Sequence, residues 1–204
     1  MNTEYLMLLE RRKKIEEEGN VYRLEEAKSR MRLASYMLKR FPEKVLTFAG
    51  GSGTNGHEPW RPGIAKAVTE KGGICINIDQ GPRWEELSNP NYIHHQRNLI
   101  DDLKVEDFDP EKYAKEIGCE CGSLDLVECS NFLGVSYSFD LDRAGSNPSN
   151  VLETMLHENK EDPQEAMDIM RKNIAKFSLW ALKENGALMF NHRIYLKENI
   201  EALL

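Results

Sequence analysis

Cysteine is scarce: four thiols, Cys75, Cys119, Cys121 and Cys129, in 204 residues. That is too few for a disulfide framework, and the expected setting is reducing and cytoplasmic. Long apolar runs are missing as well. None approaches the ~20 residues of a membrane span, and Met1 to Arg12 lacks the basic-then-apolar order of a secretory signal. Excess positive charge is absent: 27 Lys and Arg stand against 34 Asp and Glu, a formal −7. That balance argues against coating long nucleic acid through bulk electrostatics. The glycine cluster after residue 49 is not followed by Lys-Ser or Lys-Thr, which excludes a Walker A phosphate loop. The chain has no internal repeat and no low-complexity segment. Its 40% hydrophobic content suffices for one sizeable core.

The charge is unevenly spread. Residues 1–44 carry 11 basic and 8 acidic groups, and the remaining 160 carry 16 and 26. Leu24, Ala27, Met31, Ala34, Leu38 and Phe41 recur at helical steps. Tyr5 to Ile15 repeats the pattern more loosely, Gly19-Asn20 marks a break and Pro42 an end. The expected organisation is an N-terminal helical segment over 1–43, packed against a domain over 44–204.

From residue 45 onward, strand and helix signals alternate. Val45-Leu46-Thr47-Phe48-Ala49 is an apolar run that stops at glycines, a helix follows near Ile64 to Glu70, and Gly72-Gly73 closes it. Ile74-Cys75-Ile76-Asn77-Ile78 reads as a strand ending at Asp79. Asn91 to Leu99 reads as helical, with Asn98-Leu99-Ile100 as a short strand. Asp109-Pro110 opens a helix to about Ile117, since Asp caps and Pro fits the first turn. Leu124 to Cys129 is the next strand, and residues 137–150 read as a surface loop. Asp162-Pro163-Gln164-Glu165 starts a helix that presents Ala166, Met170, Ile174, Phe177 and Ala181 on one face. Asn185-Gly186 stops that helix before a strand at Ala187-Leu188-Met189-Phe190. This alternation predicts an α/β domain with a mostly parallel sheet.

The chemistry concentrates where the first strand meets Gly50-Gly51-Ser52-Gly53-Thr54-Asn55-Gly56. Glycines there permit a tight turn and let the backbone approach a ligand closely. An acid at the end of the next strand, Asp79, can accept hydrogen bonds from two ribose hydroxyls in a doubly wound sheet. A glycine turn without a ligand has the same pattern. Several cofactors, including NAD, would suit the loop and acid.

The chain resembles the class I S-adenosylmethionine-dependent methyltransferases, across about residues 45–190. Val45 to Gly53 looks like that family's strand and glycine turn, with Ala49 at the first glycine position and Thr47 in place of the usual strand acid. Ile76-Asn77-Ile78-Asp79 looks like its second strand with the ribose-binding acid. Leu99-Ile100-Asp101-Asp102 resembles the third strand, and Leu124 to Asn131 the fourth. Leu182-Lys183-Glu184-Asn185-Gly186-Ala187-Leu188-Met189-Phe190 looks like the turn into the fifth. Only 14 residues follow Phe190, so the family's last strands, one of them antiparallel, are expected to be lacking.

The resemblance implies a Rossmann-like doubly wound sheet and SN2 methyl transfer to a small-molecule or protein acceptor. It implies a cofactor site at Ala49, Gly50, Gly51, Gly53 and Asp79. Asp101 or Asp102 would face the adenine, and Ser130 or Asn131 would lie near the methyl group. Candidates for a base are His57 and Glu128, with His94 and His95 beside them. Trp60 and Arg61 offer flat faces for stacking. Cys119 and Cys121 are separated by one residue, where structural zinc wants two to four, so no metal is expected. The alternatives are an enzyme using another nucleotide cofactor and a Rossmann-like interaction protein without catalysis.

Overall fold

The structure is a computed structural model, and it describes residues 32, 35–37, 39–48, 63–79, 83, 87–129, 163–190 and 193–204. Three apolar runs form the middle of one sheet: β1 (Lys44–Phe48), β2 (Ile74–Asp79) and β4 (Leu124–Cys129). All three are buried over nearly their whole length, as strands covered on both faces require. With β3 (Tyr92–Gln96), β5 (Leu182–Phe190) and β6 (Arg193–Leu196), the sheet has the order β3-β2-β1-β4-β5-β6. Every pairing is parallel except β5 with β6. This is an α/β architecture with a Rossmann-like, mostly parallel sheet.

Four helices join the strands among the described residues: α1 (Gly63–Glu70), α2 (Leu99–Leu103), α3 (Pro110–Glu116) and α4 (Pro163–Ala181). The α1 helix lies between β1 and β2 in sequence, and its Val68 packs with Val45 and Leu126 on one face of the sheet. The other face holds the main core, where α2, α3 and α4 pack on Leu46, Phe48, Ile76 and Val127. Phe177 of α4 meets Phe48 edge-on at 5.9 Å and Tyr113 of α3 at 5.6 Å. Burying such a side chain contributes roughly 1.5–3 kcal/mol.

Local chemistry accounts for the ends of the elements. Asp109 caps α3, accepting from the N–H groups of Glu111 and Lys112, with Pro110 at the first helical position. Gly72, at φ +84°, ends α1. A Cβ on Gly73 would sit 2.6 Å from the Glu43 carbonyl, so the approach of α1 to β1 needs that residue bare. Asp125 on β4 accepts from the N–H groups of Glu43 and Lys44, each at 2.9 Å, and from Lys183 at 2.6 Å, tying the start of β1 to β5.

Three expectations are corrected. The third strand is Tyr92–Gln96, where a helix is expected, and Leu99–Leu103 is a helix, where a strand is expected. Asn98 caps that helix by accepting from Ile100 N–H, and Asp101 and Asp102 suit the positive end of its dipole. Helix α4 stops at Ala181, four residues before Asn185-Gly186. Leu182 already pairs with Leu124, residues 183–186 step out of the ladder, and Ala187 rejoins it opposite Leu126. The residues after Phe190 do hold an antiparallel strand, β6, followed by a 3-10 turn (Lys197–Leu203).

Of the N-terminal segment, Arg32, Ser35, Tyr36, Met37 and Lys39 are helical. Tyr36, Met37 and Phe41 pack against the cluster of Val45 and Leu126, on the α1 side of the sheet. The expected helix over Tyr5 to Ile15 and the loop at 137–150 lie outside the described residues.

Candidate functional site

In an open α/β sheet, ligands bind beyond the carboxyl ends of the strands, where the strand order reverses. Here that point lies between β1 and β4. A row of polar residues crosses the sheet near it. Glu128 on β4 is in register with Thr47 on β1, Thr47 with Asn77 on β2, and Asn77 with His94 on β3. Residues in register point to the same face, and hydrogen bonds join Thr47, Asn77 and His94. Thr47 Oγ1 donates to Asn77 Oδ1 at 2.6 Å, and Asn77 Nδ2 lies 3.0 Å from His94 Nδ1.

Three of these side chains are buried, with Asn77 1%, Thr47 3% and Glu128 5% exposed, and His94 is half-buried. Burying polar groups is unfavourable unless each is hydrogen-bonded. Two residues earlier on β1 and β4 the same face carries Val45 and Leu126.

Asp79 closes β2 on the same face, since alternate residues of a strand share a face. It is the last residue of the strand, 6% exposed, and its carbonyl accepts from Arg97 N–H at 2.9 Å. Tyr92, 1% exposed, occupies that face near the start of β3, with its ring 6.3 Å from that of His94. Burial, then the neighbouring Cys75, pushes the phenol above its usual range. Burial pushes the Cys75 thiol up to about 12, against the lowering effect of its hydrogen bond with Thr47.

Of the sequence candidates, Asp79, Glu128 and His94 come together on this face. His95 faces the opposite way, as its neighbour in a strand must. Its buried Nε2 has no hydrogen-bond partner among the described residues. Asp101 is exposed in the first turn of α2, and its Oδ2 accepts from Asn98 at 2.7 Å. Asp102 is held by Arg97. Neither carboxylate lies at a strand end. Ala49, Gly50, Gly51, Gly53, His57, Trp60, Arg61, Ser130 and Asn131 lie outside the described residues.

Sequence reasoning gave no role to Asn77 or Tyr92. A signal existed for Asn77: an amide in the middle of an otherwise apolar strand, Ile74 to Ile78, must find buried partners. Among the described residues no group of three or more His, Cys, Asp or Glu is placed to hold a metal ion. No described helix is long and apolar enough to cross a membrane. No protein-family model matches the chain, and no curated protein is similar to it.

Proposed function

We propose that this chain is an S-adenosylmethionine-dependent methyltransferase acting on a small-molecule or protein acceptor. The observation that carries the reading is Asp79, a nearly buried carboxylate that ends β2. It stands next to β1, the strand that leads into Gly50, Gly51 and Gly53. A carboxylate there suits an adenosyl ribose, because its two oxygens accept both hydroxyl protons of a vicinal diol. The strand order supports the same reading, since it puts this acid one strand away from the reversal point of the sheet.

S-adenosylmethionine supplies, when bound, a sulfonium methyl group already activated for displacement by N, O, S or C. What remains for the protein is alignment and exclusion of water. Asp79 would fix the sugar, and the glycine segment would let the main chain close on the methionyl part. Glu128, on β4 at the reversal point, would face the acceptor side. An acceptor that must lose a proton before attack needs a base within hydrogen-bond reach, and Glu128 is the described carboxylate best placed on β4 for that work.

A thermal-shift titration tests the reading. A ligand at a hundred times its Kd adds about 2.7 kcal/mol to the folded state, or roughly 5–10 °C for a chain of this size. S-adenosylmethionine and S-adenosylhomocysteine are expected to raise the midpoint, and NAD is not. A rise with NAD alone would replace the proposal with a dehydrogenase.

A further inference from the structure

We propose that Asn185 is a self-modification site, which the folded chain converts to aspartate and isoaspartate with loss of ammonia, and that Arg40 promotes the reaction. This chemistry is separate from the ligand site proposed above.

Asn185-Gly186 falls where β5 leaves the sheet. Leu182 pairs with Leu124, Ala187 pairs with Leu126 and Leu196, and residues 183–186 are in register with neither β4 nor β6. Asn185 is exposed there, within reach of water. Packing favours a bare residue at the next position, since a Cβ on Gly186 would sit 2.9 Å from Leu182 Cδ2 and 3.0 Å from the Lys183 carbonyl oxygen. The main-chain nitrogen that follows Asn185 therefore has no side chain beside it to block approach to the Asn185 amide carbon.

Arg40 NH1 donates to the main-chain oxygen of Asn185 at 2.5 Å. The base of that side chain is anchored. Arg40 N–H donates to the Tyr36 carbonyl at 2.8 Å, and Tyr36 and Phe41 pack against the cluster of Val45 and Leu126. The oxygen that Arg40 grips belongs to the same peptide group as the Gly186 nitrogen. When that nitrogen loses its proton, the negative charge spreads through the peptide group onto the oxygen. A charged donor there stabilises the anion more than the neutral amide, and so lowers the barrier to attack.

The deprotonated Gly186 nitrogen attacks Cγ of Asn185. A carbon–nitrogen bond forms, the bond from Cγ to Nδ2 breaks, and Nδ2 leaves with a proton as ammonia. A cyclic imide remains. One water then opens it. Addition at Cγ restores the main chain with an aspartate, and addition at the main-chain carbonyl carbon leaves isoaspartate, whose main chain is one carbon longer. The net change is one water taken up and one ammonia released, with nothing oxidised or reduced.

Peptide mapping of the full chain tests the proposal. The folded protein is held in mildly alkaline buffer, sampled over days and digested with trypsin. Electron-transfer mass spectrometry then distinguishes isoaspartate from aspartate in peptide 184–193. Asn55-Gly56, the other Asn-Gly pair in the sequence, is followed in the same digests as an internal reference. Conversion at Asn185 is expected in the unsubstituted chain, and Arg40→Gln is expected to slow it about threefold or more relative to Asn55. Arg40→Lys keeps a charged donor and is expected to fall between the two. An Arg40 that merely held the fold would give the opposite sign, because releasing the segment speeds ring closure. No conversion at Asn185 in the folded chain would overturn the inference, and so would conversion as fast or faster in Arg40→Gln.

Discussion

Arg97 grips both carboxylate oxygens of Asp102, Nε to Oδ2 at 2.7 Å and NH2 to Oδ1 at 3.0 Å. The same guanidinium reaches Glu116 at 2.8 Å and lies over the Tyr113 ring, 5.3 Å from its centroid. This one side chain thereby joins the end of β3 to α2 and α3. The Asp102 hydrogen bonds, more than any other contact, push the Arg97 pKa further above its usual value. A two-pronged, partly buried pair of this kind is stronger than an exposed one. Asp102→Asn is expected to lower stability by about 1 kcal/mol, read from urea unfolding, and Glu116→Gln by less. Equal effects would show that the two-pronged geometry carries no special weight.

His95 gives stability a dependence on pH. Burial, followed by the positive Arg97 and by His94, holds its pKa below 6.5, against the raising effect of the Ile117 backbone. The unfolded chain therefore takes up the proton first as pH falls. Stability is full above about 6.5 and declines as pH drops through the lower folded value. His95→Gln is expected to flatten the profile of unfolding midpoint against pH in that window. An unchanged slope would place the titration elsewhere.

The four thiols are expected to react at different rates. Cys121 is exposed, whereas Cys75, Cys119 and Cys129 are buried. Burial holds Cys75 up to about 12 and raises Cys119 as well, and only a thiolate is a good nucleophile. Alkylation at pH 8 under native conditions, followed by mass spectrometry, should label Cys121 first. Fast labelling of Cys75 would contradict the sealed sheet face on which the polar row depends.

The legible parts of this fold were those whose local signals agree. Val45 to Phe48, Ile74 to Asp79 and Leu124 to Cys129 read as strands because both of their faces are buried, leaving continuous apolar runs. Asp109-Pro110 read as a helix start because cap and proline coincide. Tyr92 to Gln96 was not legible. At the edge of the sheet among the described strands, paired with β2, it mixes aromatic, imidazole and amide side chains with no apolar run. The shift of the third strand also moved Asp101 and Asp102 from a strand end to a helix start. At the candidate site, Asp79 was legible from its place at the end of an apolar run. The hydrogen-bonded row was not, because it depends on the register of three strands that are distant in sequence.

Calorimetry with S-adenosylhomocysteine, on the unsubstituted chain and on Asp79→Ala, tests the cofactor reading most directly. The account predicts micromolar binding that weakens at least tenfold once the carboxylate is removed, about 1.4 kcal/mol or more. No binding, or equal binding by both proteins, would contradict it.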